Sequence, residues 1–145
     1  AELDITLRSL SSESRERLCE GIQNLIEKIA AAHGLKAEVR LKRGYPPTIN
    51  HESGVRIVEE TAKDLLGENG YLEMPEPLMA SEDFSYVLQK YRGAFAFLGV
   101  GPKNGEIENA APCHSNHMVI DEDSMAIGVA MHVALAQQVL RPERT

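Results

Sequence analysis

The chain has 145 residues, 43% of them hydrophobic, and carries 15 Lys and Arg against 22 Asp and Glu, a net charge of -7. That hydrophobic share can supply a core and excludes global disorder, and the length suits one ordinary domain or two small pieces. An acidic chain lacks the basic face that displaces counterions from phosphate, which excludes a nucleic-acid binder.

No apolar run reaches the roughly 18 to 20 residues of a membrane span. The most apolar stretch, residues 125–140, is interrupted by Gly128, His132, Gln137 and Gln138, and reads as a buried helix. Cys19 and Cys113 are the two cysteines. Two make no disulfide framework, and a reducing cytoplasm is the expected location. No signal-peptide pattern opens the chain. It begins without Met on a strand-like segment, so the expectation is a piece of a longer protein.

In chain order, residues 2–8 alternate: Leu3, Ile5 and Leu7 on one side, Glu2, Asp4, Thr6 and Arg8 on the other. Period two predicts a strand with one buried face. Ser11 and Ser12 offer helix N-caps, and Glu13 and Glu16 suit the positive end of the dipole. Leu18, Ile22, Leu25, Ile26 and Ile29 recur at helical spacing, and Gly34 supplies the stop. Ala37, Val39 and Leu41 alternate with Glu38, Arg40 and Lys42 as a second strand.

The segment 44–50, GYPPTIN, has two adjacent prolines, which forbid helix and favour extended chain. It reads as a linker. Asn50 can cap a helix bearing Val55, Val58, Ala62 and Leu65, ended by Gly67 and Gly70. Residues 71–80 form an extended connection. A short helix over 82–91, capped by Ser81, precedes an apolar run over 94–101 that reads as a buried strand. A polar loop follows over 102–112, then the histidine stretch, then a helix over 123–140 that is apolar on most sides and should pack deeply.

His114 and His117 lie three apart in the loop before that helix. A loop frees an imidazole to face a cleft, and neutral imidazole is a common metal ligand. Two histidines at this spacing also suit a plain surface loop, and a complete site needs three or four ligands. His132, inside the last helix, reads as a partly buried histidine with a hydrogen-bond partner. Glu82 and Asp83 open a helix. They serve either as dipole compensation and capping or as a carboxylate pair near a metal or an ammonium group. Asp121, Glu122 and Asp123 read as a helix cap and solvated turn. Arg8 is either an exposed strand cation or a two-pronged grip for a carboxylate. Cys113 adjoins His114, but adjacent residues rarely face each other as a nucleophile and base must.

Three stretches in this order carry a resemblance: DITLR followed by SSESRERL (residues 4–8 and 11–18), MASEDFSYVLQKYRGAFAFLGVG (79–101) and CHSNHMVIDEDSMAIGVA (113–130). The chain resembles the C-terminal half of the aminoacylase-like metallopeptidase family. Its nearest branch is that of hippurate hydrolases, N-acyl-amino-acid amidohydrolases and indole-acetyl-amino-acid hydrolases.

The resemblance implies a mixed α/β fold. Residues 1–46 would be the second half of a ferredoxin-like lid and dimerisation domain, and residues 47–145 the closing segment of an α/β catalytic domain. It implies two divalent metals per intact site, zinc or alternatively manganese, cobalt or nickel, with His114 as the one ligand in this stretch. It assigns Arg8 to the substrate carboxylate or developing oxyanion, and Glu82 and Asp83 to the rim of the substrate site. His117 takes no ligand role by it. Met118 stands where an aromatic residue is frequent.

The implied partners are an N-acyl amino acid substrate, the N-terminal half of the same protein, and a second copy in a homodimer. The implied reaction is metal-assisted amide hydrolysis, and this stretch alone is expected to be inactive and weak in metal binding. The rival reading is a stand-alone, non-catalytic binding or dimerisation module, built on the exposed edges of the first strand–helix–strand unit.

Overall fold

The computed structural model describes residues 1–103 and 109–141. Four α-helices follow one another: α1 (Ser12–Ala32), α2 (Glu52–Leu66), α3 (Ser85–Lys90) and α4 (Asp123–Leu140), with a 3-10 turn at Glu68–Gly70 after α2. The chain divides into two compact units, residues 1–51 with 74–93, and residues 52–73 with 94–145.

In the first unit, α1 forms where the apolar spacing predicts it, and both of its ends are chemically specified. Ser11 is extended at the N-cap, and its hydroxyl accepts the Ser14 amide at 3.1 Å, satisfying one of the orphan donors of the first turn. At the other end Gly34 stands at φ 69°. The Leu35 amide donates to the Ala30 carbonyl at 2.8 Å and the Gly34 amide to the Ala31 carbonyl at 3.0 Å. That bond pair is a Schellman stop, and it needs a residue at ease in the left-handed region. Arg15 then donates to the Gly44 carbonyl at 2.5 Å, and both guanidinium nitrogens of Arg43 meet the Glu16 carboxylate at 2.5 Å. These contacts hold the following loop to the first turns of the helix. The Glu16 carboxyl is lowered, first by its hydrogen bond with Arg43.

The short α3 presents Ser85 and Leu88 inward. Tyr86 meets Tyr45 edge to face, ring centroids 5.9 Å apart. The helix is shorter than the 82–91 expected. Its N-cap is Phe84, with no side-chain cap bond, rather than Ser81.

In the second unit α2 packs on α4. The buried Thr61 hydroxyl lies 2.7 Å from the Ile57 carbonyl oxygen and also reaches the Gln138 side-chain oxygen. Gln138 Nε2 in turn donates to Glu60 at 3.2 Å. Polar groups at a helix contact are tolerated when each finds a partner, and this chain of contacts sets the register of the two helices. Gly70 folds back on α2, its amide donating to the Gly67 carbonyl at 2.8 Å.

Two expectations are corrected. Among the described residues there is no strand, so the strands expected of an α/β fold are absent from them. Residues 2–8, 37–42 and 94–101 carry strand patterns but form no ladder. A strand is stabilised by the backbone bonds of a neighbour and the side-chain pairs across it. Here the apolar side of the first segment meets no cover: Leu3 is 84% and Ile5 55% exposed.

The second correction concerns α4, which is not deeply packed. Only Ser124 is buried, while Val129 and Val139 are each 65% exposed. A helix apolar on most sides needs cover on most sides, and α2 supplies one. His132, expected to be partly buried with a partner, is exposed. Among the described residues the buried apolar side chains are Cys19, Ala62 and Leu88.

Candidate functional site

The histidine loop lies in the second unit and is built from two consecutive turns. The Ser115 amide donates to the Pro112 carbonyl at 3.0 Å, and the Met118 amide to the Ser115 carbonyl at 3.2 Å. The Ser115 hydroxyl accepts the His117 amide at 3.1 Å. Between these bonds His114 adopts φ 74°, and among the described residues it alone combines a positive φ with a side chain. The left-handed region brings Cβ close to the backbone, so a residue other than glycine stays there only when its surroundings require it. Such outliers gather at ligand clamps and active sites. The imidazole is exposed, as are Cys113 and His117. Both cysteines are free thiols, Cys19 buried and Cys113 exposed.

A fixed foundation follows the loop. The Asp121 amide donates to the Val100 carbonyl at 2.9 Å, tying the loop's exit to the end of the apolar run 94–101. The Asp121 carboxylate accepts the Asp123 amide at 3.2 Å and lies 3.4 Å from the Ser124 hydroxyl. It braces the turn before α4, whose N-cap is Glu122 and has no side-chain cap bond. Lys103 joins the cluster, 2.5 Å from Asp123 and 3.5 Å from Asp121. It lowers the Asp123 carboxyl, chiefly by hydrogen bonding and then by its charge, and its own ammonium is raised in return. The sequence placed Lys103 in a polar loop and gave no sign of this partnership.

The other expected residues lie in the first unit. Arg8 is exposed on the segment before α1, and among the described residues no ion pair engages it. Glu82 is half-buried and Asp83 exposed, both in the turn before α3. Glu82 Oε1 accepts the Phe84 amide at 3.3 Å, and the Asp83 carbonyl accepts the Tyr86 amide at 3.0 Å. The first contact braces the turn before α3, and the second engages the backbone of Asp83 and not its carboxylate. They leave the Asp83 carboxylate directed to solvent.

The donor set can be tested against a metal. An exposed imidazole on a constrained loop is a competent ligand. Among the described residues, however, no three His, Cys, Asp or Glu side chains gather where an ion could be held. The stretch offers a donor and does not close a site by itself. No helix of the described residues is long and apolar enough to cross a membrane.

Comparison with known proteins shows what this chain is similar to. IAA-amino acid hydrolase ILR1-like 6 of Arabidopsis thaliana is 31% identical over 144 residues, covering 97% of this chain and 30% of that protein. Thermostable carboxypeptidase 1 of Saccharolobus solfataricus is 31% identical over 137 residues, covering 94% of this chain and 33% of its own length. Hippurate hydrolase of Campylobacter jejuni is 29% identical over 141 residues, 97% of this chain and 35% of that protein. The chain thus spans about a third of the length of the curated relatives it matches. Residues 5–138 match the profile of Peptidase family M20/M25/M40, and the chain belongs to that family.

Proposed function

We propose that this chain is the C-terminal part of a metal-dependent amidohydrolase that cleaves the amide bond of N-acyl amino acids or related small amides. Residues 1–46 contribute to a lid and residues 47–145 to the catalytic domain. The observation that carries the reading is the left-handed backbone of His114, an exposed imidazole held in a costly conformation in a chain of this family. Relatives named as hydrolases of hippurate and of IAA-amino acids support the substrate class.

In this reading His114 is one ligand of a site completed by residues outside this stretch. The metal, zinc or alternatively manganese, cobalt or nickel, and two ions in the intact site, would polarise the substrate carbonyl and acidify a bound water. The chain's own residues bind and orient. Arg8 grips the substrate carboxylate or meets the charge that develops on the carbonyl oxygen. Glu82 and Asp83 line the rim, where Asp83 can receive a cationic part of the substrate. The stretch alone is inactive, and the protein works in the cytoplasm as a homodimer.

The test is His114→Ala in the intact protein. Metal content and amidase activity should fall by more than the roughly 10–100-fold that follows loss of an outer partner of a metal ligand. Full metal content with full activity overturns the ligand role. Arg8→Ala should lower activity by about 100-fold, and Arg8→Lys should not restore it, because a point charge lacks the guanidinium fork.

A second reading has one observation in its favour. The uncovered apolar side of residues 2–8 suits strand pairing with another chain, as in a dimerisation module. Retained dimerisation together with absent hydrolase activity in the intact protein would favour it.

A further inference from the structure

His51 and Gly93 are the final residues of the two chain segments, 1–51 and 74–93, that make up the first unit. They hold each other twice. The His51 amide donates to the Gly93 carbonyl at 3.0 Å. The Gly93 amide donates to His51 Nδ1 at 3.3 Å. The first bond joins backbone to backbone and does not depend on protonation. The second uses the Nδ1 lone pair, which an imidazole offers only in the neutral form that carries its proton on Nε2.

We infer that the His51 imidazole is an acid-sensitive clasp on the segment that ends at Gly93. A proton added to the ring goes to Nδ1, because Nε2 already carries one. The acceptor then becomes a donor and confronts the Gly93 N–H, so the bond is lost. One of the two ties between residues 51 and 93 is removed, and the remaining backbone bond holds the segment alone. The clasp is half-buried on the histidine side, close enough to solvent for proton exchange.

The charged and titratable groups that adjoin it along the chain lie on each of the segments that meet there. Glu52 follows His51 in the first turn of α2, with Arg56 a turn further on. Tyr91 and Arg92 precede Gly93, and Lys90 ends α3 with its ammonium 5.8 Å from the Tyr91 ring centroid. Tyr45 of the linker is engaged with Tyr86. Among the described residues none of these forms an ion pair or hydrogen bond with the imidazole, whose bonded partner is the Gly93 amide. The acid response is therefore assigned to His51 itself and not to a paired carboxylate.

The experiment is hydrogen exchange resolved to single amides in the intact protein, at about pH 7.5 and about pH 5, which bracket histidine titration. Intrinsic exchange rates are divided out, and amides in the middle of α1 serve as the internal reference. Relative to that reference, protection of the Gly93 amide should fall at least tenfold on acidification. His51→Asn keeps an acceptor oxygen near the Nδ1 position without a titrating group, and its Gly93 protection should be the same at both pH values. His51→Ala should leave that amide unprotected at both. Unchanged Gly93 protection in the parent protein overturns the proposal, as does an equal acid loss in His51→Asn. The parent measurement alone decides the matter if a variant does not fold.

Discussion

At the scale of single residues, His114 holds the most informative backbone conformation in the chain. A side chain at φ 74° carries a cost of about 1–2 kcal/mol relative to ordinary backbone. Glycine would remove that cost and lose about 0.5–1 kcal/mol of its own through the freedom it gains in the unfolded chain. His114→Gly in the intact, metal-free protein should therefore be neutral or stabilised by up to about 1.5 kcal/mol. The same variant should lose hydrolase activity. Thermal unfolding and an amidase assay on one preparation check both halves. A clear loss of stability without metal would mean that the imidazole is held for structural reasons. The sequence made His114 visible as an imidazole in a loop, but not its conformation. Histidine, like Asn and Asp, is enriched in left-handed backbone, but a sequence does not say which histidine adopts it. Glu82 and Asp83 were legible as helix-opening acids. The bond that Glu82 accepts from the Phe84 amide was not legible, because no sequence pattern specifies it.

At the scale of elements, what could be read was what is local. The α1 helix was legible from end to end because its spacing, its Ser11 cap and its Gly34 stop all lie within a few residues of each other. The strands were legible only as patterns, because a strand depends on a neighbour that its own residues do not name. Two glycines show how far local rules reach. Gly21 sits in the interior of α1 with nothing within 4 Å of where a Cβ would stand. Gly21→Ala should stabilise by about 0.5–1 kcal/mol through helix propensity. Gly70 resembles it in sequence and differs in space, since its added Cβ would stand 2.3 Å from Leu66 Cβ and 3.1 Å from the Ala62 carbonyl oxygen. Backbone must shift there, and Gly70→Ala should cost about 1–3 kcal/mol. Opposite signs in thermal unfolding of the two variants are the expected result.

The start of α4 gives a prediction in pH. The Asp123 carboxyl is lowered by Lys103, and the Lys103 ammonium is raised by Asp123. A depressed carboxyl contributes stability above its unfolded titration range and loses it as pH falls through the folded value. A raised ammonium contributes below its unfolded range and loses it as pH rises through the folded value. Parent and Lys103→Ala should therefore differ most between the carboxylate and lysine ranges and converge at both extremes. Denaturant midpoints measured from acid to alkali check this. Because both groups are exposed, the difference should also shrink with added salt.

At the scale of the whole molecule the governing quantity is surface. The chain exposes 12,503 Å². A compact monomer of this mass exposes about 7,400 Å², and even two separate compact bodies of half the mass would together expose about 8,900 Å². About 3,600 Å² therefore remains beyond what two self-sufficient units would show. Much of it is apolar: Leu3, Ile5, Val129, Val139 and Leu140 are all more than half exposed. Exposed apolar surface on this scale calls for cover, and in a chain that spans about a third of its relatives' length the proposed cover is the rest of the same protein. The isolated stretch 1–145 should accordingly bind a hydrophobic dye, and it should unfold in urea with a slope below that of a compact domain of equal length, because the slope follows the surface newly exposed. Joined to the remainder of the protein, the same residues should lose dye binding and unfold in one steep transition. A steep, dye-free transition of the isolated stretch would show that it covers its own apolar faces, and the stand-alone module would become the better reading.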